Sequence, residues 1–79
     1  MVPSAPECGD IVIREELRHI GVAFVLRAEG AADQLIIQSR DVAITQARSV
    51  AMRQGVRAWI VDGDKVFMLV GDFRTGLSI

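Results

Sequence analysis

Tyrosine is absent, cysteine occurs once and proline twice in a chain of 79 residues. A lone cysteine, Cys8, excludes an internal disulfide and with it the stapled architecture of small secreted domains; only a bridge between two chains would be open to it. Charge of one sign is missing too. Nine Lys and Arg stand against ten Asp and Glu, for a net charge of −1, which removes the strong field of a dedicated nucleic-acid or anionic-membrane binder. The longest apolar stretches, such as Val22 to Leu26 and Val66 to Val70, fall far short of the roughly twenty residues a spanning helix needs. Met1 to Asp10 has no basic cluster and no apolar run of secretory type. The expectation from these absences is a soluble, cytoplasmic protein with no membrane partner.

What remains is 51% hydrophobic and 24% charged, the composition of one compact domain. Only roughly 60% of the unfolded surface can be buried at this size, so association would help stability. No repeat or low-complexity block divides the chain. The reading is a flexible lead-in over 1–9, a single domain over 10–73 and a frayed C-terminus over 74–79.

The clearest element is a helix over Arg40 to Gln54. Ser39 offers an N-cap hydroxyl, Asp41 places negative charge at the positive helix end, and Gly55 supplies the left-handed terminator. Ala43, Ile44, Ala47, Val50 and Ala51 fall in a stripe about 120° wide that would lie on a sheet, and the alanines imply a close approach. Val42 and Met52 lie away from that stripe. After Gly55, Val56 to Val61 and Lys65 to Val70 flank Asp62-Gly63-Asp64, which predicts a hairpin with a tight primed turn. Before the helix, Val22 to Arg27 reads as a strand and Leu35 to Gln38 as a short one. Asp10 to Leu17 is ambiguous: Ile11, Val12 and Ile13 favour a strand, whereas Asp10 as N-cap, helical spacing of Ile13, Leu17 and Ile20, and Gly21 as terminator fit a helix. The hairpin that Arg18 to Gly21 would close with the next strand favours the strand. The expected fold is α+β, an antiparallel sheet of four or five strands in chain order ββ(β)αββ with one helix on one face.

These strands do not alternate apolar and polar residues as a half-covered sheet requires. Val22, Phe24 and Leu26 are backed by Ala23 and Val25, Ala58 and Ile60 by Trp59 and Val61, and Val66, Met68 and Val70 by Phe67 and Leu69. One helix, about 22 Å long, covers one face only. The expectation is therefore a homo-oligomer, most simply a two-fold dimer, associating through Trp59, Val61, Phe67 and Leu69, with Ala23 and Val25 as alternates. The competing possibility is a helix over Asp10 to Ile20 that covers the second face within one chain.

Catalytic chemistry finds little to stand on. His19, the sole histidine, sits at an expected turn, and with Cys8 it makes neither a metal set nor an activated nucleophile pair. Glu15 and Glu16 would point to opposite faces, and Asp62 and Asp64 flank a turn glycine. The dispersed glycines form no phosphate loop or dinucleotide fingerprint. No enzyme, metal or cofactor is expected. Arg40, Arg48, Arg53 and Arg57, on or just after the helix, are the alternative: a weak nucleic-acid surface tracking phosphates, diluted by Asp41 and the acidic total. A small-molecule ligand is not defined by any motif.

The runs Gln38-Ser39-Arg40-Asp41-Val42-Ala43-Ile44-Thr45-Gln46-Ala47-Arg48-Ser49-Val50-Ala51 and Gly55-Val56-Arg57-Ala58-Trp59-Ile60-Val61-Asp62-Gly63 resemble small uncharacterised bacterial proteins. These share a strand pair, a capped helix with spaced alanines and a closing hairpin, and are grouped as domains of unknown function. Gly9-Asp10-Ile11-Val12-Ile13-Arg14-Glu15 is similar to their first strand. The matching positions are caps and core, so the resemblance implies a fold and transfers no site residues; only Gly21 provides a turn glycine between the first two segments.

Overall fold

The computed structural model describes residues 5–19, 21–61 and 66–74. Five strands and one helix follow one another as β1 (Ile11–Arg18), β2 (Gly21–Ala28), β3 (Gln34–Ile37), α1 (Arg40–Gln54), β4 (Arg57–Val61) and β5 (Phe67–Asp72). Among the described residues the fold is thus α+β, a five-stranded sheet with one helix. The segment after Asp10 is strand: β1 and β2 pair from Ile11 opposite Ala28 to Arg18 opposite Gly21. The Asp62-Gly63 turn expected between β4 and β5 lies outside the described residues.

The sheet is mixed, not purely antiparallel, and its spatial order is β3-β2-β1-β4-β5. β2 runs antiparallel to both β1 and β3, β5 antiparallel to β4, but β4 lies parallel to β1. The physical reason is the crossover. A helix that packs back across a sheet returns the chain to the end where the previous strand began, so β4 runs in the direction of β3, and β3 already runs with β1. Two strands separate β3 from β4, and α1 spans them.

The boundary signals of α1 act as their chemistry dictates. Ser39 has extended backbone and its hydroxyl accepts from Val42 N–H, while Gly55 at φ 69° lets its own N–H reach the Ala51 carbonyl. Ala43, Ala47 and Ala51 are fully buried against Ile11, Ile13, Phe24, Leu26, Ala58 and Ile60. Methyl-sized residues let the helix axis approach the central strands closely enough for Ile11 and Ile13 to be sealed. The odd residues of β1 and the even residues of β4 therefore face the helix, and Val12, Trp59 and Val61 face away from it.

The lead-in is tied down from Glu7 onward. Gly9 N–H donates to the Glu29 carbonyl at 3.0 Å and Glu29 N–H to the Asp10 carbonyl at 2.7 Å, which pins the chain beside the end of β2.

Candidate functional site

The second sheet face is where the sequence placed the associating surface, and it is built around an acid. Asp10 enters the sheet one residue before β1 and is only 3% exposed. Its Oδ1 accepts Arg57 N–H at 3.2 Å; Oδ2 accepts Glu7 N–H, Arg57 Nε and Trp59 Nε1, each at 3.0 Å. The second guanidinium nitrogen of Arg57 also reaches Oδ2 at 3.0 Å and the Glu7 carboxylate at 3.2 Å. Residues 57 and 59 alternate on one strand and so share a face, which is why one carboxylate gathers both. Burial pushes the Asp10 carboxyl up, but the hydrogen bonds from Glu7, Trp59 and Arg57 and the Arg57 charge outweigh it and hold the group below its ordinary 3.8. Both oxygens of this acid accept from donors that keep it ionised, most of them on Oδ2. Such a buried, ionised and paired group clamps the sheet and has no proton to give.

The clamp also roofs the tryptophan. The Arg57 guanidinium lies 5.0 Å from the Trp59 ring centroid, and Phe67 meets the ring edge-on at 6.4 Å. Across the same face the aliphatic stem of Arg14 stands between Val25 and Val61 in the strand register, where long charged side chains shield apolar neighbours. Trp59 and Val61 are each 4% exposed within the single chain, and Ala23 and Val25 are buried as well. The sequence argument that a partner has to cover these residues therefore does not hold for them. The four expected contact residues do share one face, since Phe67 pairs with Val61 and Leu69 with Trp59. At the surface remain Leu69, 47% exposed, and the half-buried Phe67. Neither signal that would have warned of this, the Arg-x-Trp spacing and an aspartate at the foot of β1, has meaning until Asp10 and Arg57 are brought together by the parallel β1–β4 pair.

The four arginines of the alternative surface are not one stripe. Arg57 is buried in the clamp, which withdraws its charge from any phosphate. Arg40, Arg48 and Arg53 are exposed, but at 3.6 residues per turn Arg48 and Arg53 are rotated about 80° and about 220° from Arg40. Arg48 sits over the Phe73 ring at 6.0 Å.

His19 is exposed at the β1–β2 turn, and Cys8 is exposed beside Gly30, where an added Cβ would stand 3.4 Å from its sulfur. The two are not in one cluster. Among the described residues no three His, Cys, Asp or Glu side chains converge as a metal set would. A cleft of about 60 Å³ between Val12, Arg14, Val25, Arg27, Glu16 and Glu29 has room for water and not for an organic ligand. No described helix is long and apolar enough to cross a membrane. Compared with protein-family models, with curated proteins and with solved structures, the chain gives no match.

Among the described residues, uncovered apolar side chains lie at the tip of the β1–β2 hairpin (Leu17, Val22), on the outer side of α1 (Val42, Met52) and at the margins of the sheet. Leu35 and Ile36 on β3 are 50% and 49% exposed, and Met68 on β5 is 54% exposed alongside Leu69. These two strands are the outermost of the sheet, and an outermost strand presents unpaired backbone donors and acceptors as well as its side chains.

Proposed function

We propose that the chain is a small self-associating interaction module without catalytic chemistry. The observation that carries this reading is that each outermost strand bears two half-exposed apolar side chains along an edge with no neighbouring strand among the described residues, Leu35 and Ile36 at one margin and Met68 and Leu69 at the other. Isolated apolar residues on a surface need no explanation, but apolar residues aligned on a free strand edge combine hydrophobic area with backbone hydrogen-bonding capacity. The engagement of Asp10 in five contacts to its neighbours and the separation of Cys8 from His19 support the non-catalytic part. Sedimentation equilibrium from low micromolar to near-millimolar concentration tests it: average mass is expected to rise towards that of a dimer. A constant monomer mass over the whole range overturns the reading.

A further inference from the structure

We infer that two copies of this chain join through β3, edge to edge and antiparallel about a two-fold axis, with Ile36 facing Ile36 of the second copy. The inference rests on the self-association reading and adds to it the surface and the register.

Strand geometry restricts the answer. Side chains of directly opposed residues lie on the same face of a sheet, and successive residues alternate faces. A two-fold axis that relates two antiparallel strands passes perpendicular to the sheet, so a residue can face itself or a residue an even number of positions away, never its immediate neighbour. A strand that self-pairs well therefore reads as a chemical palindrome about one residue. β3 with its following residue does: Gln34-Leu35-Ile36-Ile37-Gln38 is amide, apolar, apolar, apolar, amide about Ile36. With the axis at Ile36, Leu35 faces Ile37 within the strand, and Gln34 lies towards the amide of Gln38 at the bend that ends it, so apolar meets apolar at the centre. Displacing the axis by one residue to Leu35 sets Asp33 against Ile37 and Gln34 against Ile36.

The two margins differ in the devices that normally prevent such pairing. β5 carries a register irregularity opposite Ala58 and Trp59 and ends in Asp72, and a bulge and a charge both spoil an edge. β3, from Gln34 to Ile37, has neither a charge, a proline nor a bulge; the chain bends at Gln38 before the extended N-cap Ser39, at φ −115° and ψ 130°. On its inner side β3 is held in register by β2, where Val25 faces Ile36 and Leu26 faces Leu35; among the described residues no strand pairs with its outer side. The contact is short, about 13 Å for the four residues of β3, and buries less than the roughly 1,200–2,000 Å² of a stable complex. The dimer is accordingly weak and forms at high concentration.

Because residue 36 faces its own copy, opposite charges there make a diagnostic test. Ile36→Glu and Ile36→Lys are each expected to weaken dimerisation at least about tenfold, since like charges directly opposed across a strand pair repel. An equimolar mixture of the two is expected to recover it. The position is half exposed, so both variants keep their fold, which circular dichroism checks; should either fail, Ile36→Thr keeps the β-branch and is expected to weaken association while leaving the spectrum unchanged. Wild-type association together with undiminished association of both charged variants overturns the β3 contact and leaves self-association standing. Charged variants that weaken association without recovery on mixing overturn the self-facing register. A wild-type chain that stays monomeric at every concentration, including one that instead captures an extended apolar peptide, overturns the inference together with the reading on which it rests.

Discussion

Asp10 decides more at the residue scale than any other side chain. Replacing it by alanine leaves the Arg57 guanidinium buried without its partner and the Trp59 indole N–H without an acceptor. Breaking a buried pair from one side costs about 3–5 kcal/mol, a large part of what a small domain has; urea unfolding of Asp10→Ala is expected to show a loss of this order. The clamp also sets an acid limit. Asp10 is held below its ordinary value when folded, whereas in the unfolded chain it titrates near about 3.9. Above that value both states are ionised and the contribution is fully present; as pH falls through the folded value it is lost, because the unfolded chain takes up the proton more readily. Asp72, hydrogen-bonded by Arg74 at the surface, is lowered too, so two carboxylates act in the same window. Stability from these groups is expected to be flat between pH 7 and pH 5 (about one to three units above the free carboxylate) and to fall below about pH 4. Asp10→Asn is expected to flatten that acid slope more than Asp72→Asn, whose exposed ion pair is screened, as read from unfolding at stepped pH. Nothing in the sequence announced the clamp. Asp10 stands 47 positions from Arg57, and its local context offers only a lead into a strand or, alternatively, a cap for a helix.

At the scale of elements, what could be read depended on whether the determining signals were local. The helix was legible from Arg40 to Gln54 because Ser39, Asp41, Gly55 and the alanine stripe all lie within it or at its ends. Strand pairing was legible where a hairpin joins the partners, as for β1 and β2, and not where a crossover does. The parallel β1–β4 pair follows from the direction in which α1 returns the chain, and no residue in either strand encodes it. The alanine stripe did imply its consequence, a close helix, and that closeness is open to a direct test. Ala47 is wholly buried under α1, so Ala47→Leu has no space to enter and is expected to destabilise by about 1–3 kcal/mol. Met52, 61% exposed on the same helix, is expected to tolerate alanine within about 0.5 kcal/mol. Chemical denaturation of the pair would separate crowding under the helix from a general intolerance of change in α1; equal effects would remove the close-approach argument.

Across the whole molecule, stability is set by what the single helix covers. The first half of β1 is sealed between α1 and the clamp, with Ile11 and Ile13 almost fully buried, whereas Leu17 near its end is 86% exposed. The outer part of the β1–β2 hairpin, where Leu17 pairs with Val22 and Arg18 with Gly21, continues the hydrogen-bond ladder beyond the protection of the core. Regular strand geometry and local stability therefore part company within one element, since opening costs little where few apolar contacts are lost. Amide hydrogen exchange is expected to be slowest at Ile11, Ile13, Ala58 and Ile60 and much faster at Leu17, Arg18 and Val22, although all of these lie in strands. If β3 pairs with a second copy, protection at Leu35 to Ile37 is expected to rise with protein concentration while the hairpin tip stays unchanged. Uniform protection along the whole β1–β2 ladder would mean that the hairpin is held by something other than the core described above, and that the helix is not what sets the limits of the stable region.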